Sequence, residues 1–246
     1  MTSGKRRSGA VVLAAMGLAL SLTGCAVWRI GDSIDLARKS QPFQQRPAGA
    51  TSRLLVVGDS TAVGTGADAP AASVAGRLGQ AYPQLWVENR AQDGARLADV
   101  MAQMRGADGH FDVVLVQAGG NDVIRLSDMD AVRQTVKDLA CAARDKAPLV
   151  LLMPAGNVGN SPFFFPPVRG WMTRRSRALH AVVLDAAASC GSTYINLFQE
   201  RADDPFVQGP ALHARDGLHP SDAGYGVWFE ELMRQSTLAS TLAAAR

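Results

Sequence analysis

The chain has 246 residues, with 25 Lys and Arg against 22 Asp and Glu. Three of the basic residues are Lys5, Arg6 and Arg7, and no acidic residue precedes Cys25, so residues 25–246 balance at 22 against 22. The sequence pI near 9.0 therefore belongs to the first residues, no basic patch argues for nucleic acid or a polyanionic partner, and no pattern is assigned to a metal or a cofactor.

The N-terminus reads as a targeting segment. Lys5, Arg6 and Arg7 form a positive region before the apolar stretch Ala10–Leu22. Those thirteen residues fall short of the roughly 20 needed to span a bilayer. Leu22-Thr23-Gly24-Cys25 follows directly and resembles the lipobox of bacterial lipoproteins. That resemblance implies cleavage before Cys25, lipidation at Cys25, and a membrane anchor in the cell envelope, facing outside the cytoplasm in the periplasm. Ala26 after the cysteine resembles the outer-membrane sorting pattern. The expected organisation is a signal peptide over 1–24, a lipidated Cys and tether over 25–50, and one domain over 51–246, long enough for a full core. In the tether, Ile34-Asp35-Leu36-Ala37-Arg38-Lys39 reads as a short amphipathic helix. Residues 41–50, rich in Pro, Gln and small side chains, have little to bury.

Within the domain, apolar runs alternate with helical patterns. Leu54–Val57 reads as a short buried strand. Ser73–Tyr82 is helical, with Val74, Leu78 and Tyr82 on one face. Leu85–Asn89 is a second strand, and Arg96–Arg105 is helical. Val113–Val116 is a third strand, continuous enough to be buried on both faces. Asp130–Lys146 is a helix, Leu149–Met153 a fourth strand stopped by Pro154, and Arg169–Ser189 a long helix. Thr193–Leu197 is a fifth strand, and Ser221–Arg234 a helix with Ser221 as N-cap. Strands alternating with helices imply βαβ units and a parallel sheet with right-handed crossovers. The expected architecture is a three-layer α/β/α sandwich with five parallel strands in the flavodoxin-like order 2-1-3-4-5.

The first strand runs into Gly58-Asp59-Ser60. This sets a serine hydroxyl at the carboxyl edge of the sheet, where open α/β sheets carry their sites. A second copy, Gly31-Asp32-Ser33, follows no strand pattern and is read as coincidence, so Ser33→Ala is expected to leave activity unchanged. Serine needs a base to take its proton, and Asp216-Gly217-Leu218-His219-Pro220 supplies one. Histidine titrates near neutrality, and a carboxylate on its far nitrogen fixes the tautomer. The other histidines are weaker candidates. His110 falls at the wrong end of the third strand, His180 sits inside a helix as surface or core filler, and His213 has no acid at useful spacing before it.

Two further segments follow strand ends, Asn89-Arg90-Ala91-Gln92-Asp93-Gly94 and Gln117-Ala118-Gly119-Gly120-Asn121-Asp122. A Gly backbone N–H and an Asn amide suit an oxyanion, and losing one such donor typically costs about 10²–10³ in rate. The four segments together, over roughly residues 53–225, resemble the SGNH hydrolases, also called GDSL esterases, whose blocks supply Ser, Gly, Asn and His in that order. The resemblance implies Ser60 as nucleophile, His219 as base and Asp216 as acid. The Ser60 N–H, Gly94 N–H and Asn121 side chain would form the oxyanion hole. Ala91 departs from the family pattern, where a further glycine is common, without removing a functional group. Asp59 and Asp122 are expected to order the site rather than titrate in catalysis.

The function implied is hydrolysis of acyl or acetyl esters, small-molecule or glycan, through an acyl-Ser60 intermediate. Transfer of the acyl group to an envelope glycan, and a non-catalytic binding lipoprotein on the same scaffold, are the alternatives. Phe163, Phe164 and Phe165 follow the fourth strand on the same edge. They are read evenly as an apolar substrate wall or as packing over the sheet end. Cys141 and Cys190 fall in the two consecutive crossovers that cover one face of a sheet ordered 2-1-3-4-5. A disulfide between them and a pair of buried free thiols are equally weighted.

Overall fold

The computed structural model describes residues 28–244. The targeting segment and Cys25 lie outside the described residues. Residues 28–39 form a helix, α1. The strands are β1 (Ser52–Gly58), β2 (Leu85–Asn89), β3 (Val113–Gln117), β4 (Leu149–Leu152) and β5 (Thr193–Tyr194). All neighbouring pairs are parallel, and the order is β2-β1-β3-β4-β5. The helices are α2 (Ser60–Val63), α3 (Val74–Ala81), α4 (Leu97–Arg105), α5 (Gly120–Ile124), α6 (Met129–Arg144), α7 (Pro166–Cys190), α8 (Pro205–Gln208), α9 (Asp222–Gln235) and α10 (Leu238–Ala244).

Side-chain alternation along the strands builds two cores from one sheet. Leu55, Val57, Val114, Val116, Val150 and Leu152 face a core closed by α4, α6 and α7. Leu54, Val56, Val113, Leu115 and Leu151 face the other, closed by α3, α9 and α10. This double burial is why β1 and β3 read as unbroken apolar runs rather than alternating ones. The expected three-layer fold and strand order are observed. The fifth strand is shorter than expected. Ile195 N–H donates to Leu152 O at 2.9 Å, and on the outer side of this edge strand the Asn196 N–H donates to the Gln235 side chain at 2.7 Å.

Cys141 of α6 and Cys190 at the end of α7 are joined in a disulfide, with Cα atoms 5.0 Å apart. The two crossovers put their helices side by side on one face, as their succession in the sheet requires. Residues 28–50 lie against the domain. Gln45 exchanges two backbone hydrogen bonds with Val87, at 3.1 and 2.8 Å. The Gln44 side chain brackets the Asn89 backbone. This segment covers the otherwise open edge of β2. Among the described residues no helix is long and apolar enough to cross a membrane.

Candidate active site

The site is assembled at the carboxyl ends of β1, β3 and β4. β1 ends at Gly58, where β3 passes so close that a Cβ would lie 2.0 Å from Gln117 O, so the position requires glycine. Asp59 then turns the chain into α2. Its Oδ1 accepts from Thr61 N–H at 2.9 Å and from the Thr61 hydroxyl at 2.7 Å, and its Oδ2 accepts from Gly119 N–H at 3.2 Å. One buried carboxyl thus fixes the Ser60 turn against the loop that carries Asn121. Burial pushes the Asp59 carboxyl above the usual carboxylate range, partly offset by these donors and by His219. Gly64 closes α2 at φ 95°, a conformation that favours glycine.

His219 comes from the loop before α9. Its Nε2 lies 2.9 Å from Ser60 Oγ, and its Nδ1 lies 2.6 Å from Asp216 Oδ2. The pair sits three positions apart because Asp216 also caps its own turn. Its Oδ1 accepts from Leu218 N–H at 2.9 Å and His219 N–H at 3.1 Å, and Gly217 takes φ 68° between them. Asp216 is fully buried. Burial alone pushes its carboxyl up, but the hydrogen bond and charge of His219, then Leu218 N–H and the Ser33 hydroxyl, hold it down at about 2. The acid is ionised at neutral pH and already aimed at the histidine.

Ser33 is a residue that sequence reasoning set aside. Its hydroxyl donates to Asp216 Oδ2 at 2.7 Å, so the second Gly-Asp-Ser copy is not incidental to the site. The contact joins residues 183 apart in sequence, where local pattern carries no signal.

Asn121, in the first turn of α5, adjoins the loop that carries Gly94. Asn121 Nδ2 donates to Ala95 O at 3.1 Å. That bond sets the amide beside the Gly94 loop and uses one of its two protons. Gly94 takes φ 76°, and a Cβ there would approach the Arg125 guanidinium at 3.1 Å. Asp122 Oδ2 accepts from Leu97 N–H at 3.0 Å, tying the start of α4 to α5. Desolvation raises its carboxyl. Arg175 of α7 donates to the carbonyls of Val123, Asp122 and Ser127, closing the far end of α5. Asp59 and Asp122 therefore serve as ties between loops.

A cleft opens over Ser60, Asn121 and His219. Its lining mixes apolar Leu197, Phe206, Leu218 and Trp228 with polar Asn157, Asp204 and His213, and the Phe206 ring packs edge-on against His213. Phe163–Phe165 do not line it, which corrects the substrate-wall reading. Phe164 is buried in the α6–α7 core, Phe163 packs edge-on against it, and Phe165 is 55% exposed at the start of α7. The loop has another use. Phe163 N–H donates to Gly217 O at 3.0 Å, and the Ser161 hydroxyl donates to the same carbonyl. It braces the turn between Asp216 and His219.

His110 is exposed. His180 is buried, with Nδ1 2.7 Å from Tyr194 Oη and Nε2 2.8 Å from Ala155 O. Desolvation lowers it to about 4, so it is a neutral strut beneath the loop after β4. His213 lines the cleft, and desolvation lowers its pKa, against the charges of Asp204 and Asp216. The cleft residues Phe206, His213 and Trp228 carry no local motif; only the fold gathers them. Among the described residues no three His, Cys, Asp or Glu side chains converge in a metal-binding cluster.

Comparison with known proteins follows the same outline. Residues 56–227 match the GDSL-like Lipase/Acylhydrolase family. Among solved structures, TesA superposes with a TM-score of 0.59 at 24% identity, covering 79% of this chain and 99% of its own. An acetylxylan esterase from Geobacillus stearothermophilus superposes with a TM-score of 0.59 at 22% identity, covering 77% and 96%. An extracellular lipase from Streptomyces rimosus gives 0.58 at 17% identity, covering 75% and 100%. These likenesses show the fold. No curated protein matches the chain.

Proposed function

Because the chain belongs to the GDSL-like lipase/acylhydrolase family of SGNH hydrolases, we propose that it is a serine ester hydrolase working through an acyl-Ser60 intermediate. The observation that carries this reading is the unbroken line from Ser60 Oγ to His219 to Asp216, at 2.9 and 2.6 Å. His219 Nε2 takes the Ser60 proton as Oγ attacks the ester carbonyl. The oxyanion is held by the Ser60 and Gly94 N–H groups and Asn121 Nδ2. Collapse breaks the ester bond, and the alcohol leaves with the proton from His219. A water then gives its proton to His219 and attacks the acyl carbon, releasing the acid and restoring Ser60. Asp216 stays ionised throughout and steadies the imidazolium.

The cleft brings Leu197, Phe206 and Trp228 together with Asn157, Asp204 and His213. This mixed lining suits an apolar acyl or acetyl group on a polar alcohol, such as an acetylated sugar. The acetylxylan esterase among the fold neighbours supports that choice. Anchorage through a lipidated Cys25 in the cell envelope belongs to the same proposal, on the strength of Leu22-Thr23-Gly24-Cys25.

The test is a panel of p-nitrophenyl esters of graded acyl length and an acetylated oligosaccharide, with and without a glycan acceptor. Wild type should release acid into water, and Ser60→Ala should lose activity by many decades. Residual Ser60→Ala activity within about tenfold of wild type would overturn the nucleophile. Product appearing only with the acceptor present would favour acyl transfer. Cys25→Ser should move the protein out of the membrane fraction, and wild type found soluble and unlipidated would remove the anchor.

A further inference from the structure

Among the described residues the Asp216 carboxylate holds four hydrogen bonds, and three come from its own loop. The fourth comes from α1, outside the residues 56–227 that match the family. Ser33 Oγ lies 2.7 Å from Asp216 Oδ2, the same oxygen that accepts His219 Nδ1. The helix is held in place on both sides of that contact. Arg215, next to Asp216 in sequence, binds Asp35 and lies 3.5 Å from Asp32 Oδ1. Arg29 donates to Pro162 O, in the loop that braces Gly217. Four side chains of one helix thus grip the two loops that carry and brace Asp216 and His219.

We propose that Ser33 is a positioning residue, extending the line Ser60–His219–Asp216 by one hydroxyl and making α1 part of the catalytic apparatus. This rests on the reading of Ser60, His219 and Asp216 given above. The physical reason is the geometry of a buried carboxylate. The two backbone donors hold Oδ1, so among the described residues Oδ2 is held by His219 and Ser33 alone. His219 must gain and lose a proton in each cycle, so its bond to Oδ2 changes strength at every step. The Ser33 hydroxyl does not change, and it keeps Oδ2 in the imidazole plane while the charge on the ring varies. Removing it leaves a buried carboxylate oxygen one donor short, a loss that falls on the charged partner.

The experiment compares Ser33→Ala, Ser33→Thr, Asp216→Asn, Ser60→Ala and the Ser33→Ala/Asp216→Asn double variant, all in the full-length chain, with p-nitrophenyl acetate. Ser33→Ala should lower kcat about tenfold, which is about 1.4 kcal/mol, with KM essentially unchanged and the melting temperature lowered by no more than a few degrees. Ser33→Thr, which keeps the hydroxyl, should recover most of the rate. In the Asp216→Asn background, Ser33→Ala should cost less than about twofold, because the carboxylate it positions is gone. A Ser33→Ala kcat within about twofold of wild type would overturn the proposal. So would an equal loss in the Asp216→Asn background, or a Ser33→Thr variant as impaired as Ser33→Ala. Ser60→Ala separates the two readings. If it is inactive while Ser33→Ala is unaffected, only the role of Ser33 fails; if it retains full activity, the triad fails.

Discussion

Asp216 is the residue on which the histidine depends. It is fully buried, and its carboxyl, held down at about 2, accepts His219 Nδ1 at 2.6 Å. Asp216→Asn preserves shape but turns an amide toward Nδ1, favouring the tautomer that has its proton on Nε2 and cannot accept from Ser60. We expect kcat to fall by up to about 10⁴ with the fold retained, checked by steady-state kinetics beside a thermal melt. An unchanged kcat would mean that another group orients His219. His180 carries a different residue-scale prediction, for stability. Burial lowers it from 6.5 to about 4, so between those values the unfolded chain binds a proton that the folded chain refuses. Stability is full above about 6.5 and is lost as pH falls toward 4, by on the order of 3 kcal/mol. Urea unfolding of wild type and His180→Gln across that range should show a flatter pH dependence in the variant. The comparison isolates His180 from Asp59, Asp93 and Asp122, whose raised carboxyls act in the opposite sense. Equal slopes would contradict the assignment.

At the scale of elements, the clearest bond is between α6 and α7. The Cys141–Cys190 disulfide closes a loop of sequence separation 49. In the chain-entropy model this stabilises by about 4 kcal/mol. Cys141→Ser/Cys190→Ser should melt about 10 °C lower under non-reducing conditions. A shift under about 2 °C would show that α6 and α7 hold without it. Much of this layout was legible from sequence. β1, β3 and β4 are doubly buried, so their apolar runs show plainly, and Ser73 and Ser221 mark the starts of α3 and α9 as expected. Gly58, Asp59, Asn121 and His219 were legible because each sits at a strand end or helix entry. The missed parts are short or tertiary. α5 and α8 span five and four residues, too few for a periodic pattern. Phe163–Phe165 left two readings even because apolar character does not reveal which way a loop faces; Phe163 and Phe164 turn toward α6–α7, and Phe165 stays exposed. Trp228 and Phe206 look like ordinary core residues until the fold sets them over Ser60.

Over the whole molecule, one sheet divides two cores and gathers the chemistry at a single edge. Loops after β1, β2, β3 and β4 and the segment before α9 all meet there, as open parallel sheets direct. The N-terminal segment joins them from outside the family-matched region, sealing β2 through Gln44 and Gln45 and reaching Asp216 through Ser33. Two Gly-Asp-Ser sequences therefore end at one site, and only Ser60 faces His219 Nε2. The proposed reaction turns on covalent acylation of Ser60. Its most direct test is mass spectrometry of the full-length protein after reaction with a p-nitrophenyl alkylphosphonate, followed by peptide mapping. Wild type should carry one phosphonyl group per chain on the peptide bearing Ser60 and none on the peptide bearing Ser33, and Ser60→Ala should carry none on either. Stoichiometric labelling at Ser33, or labelling undiminished in Ser60→Ala, would contradict the proposed reaction.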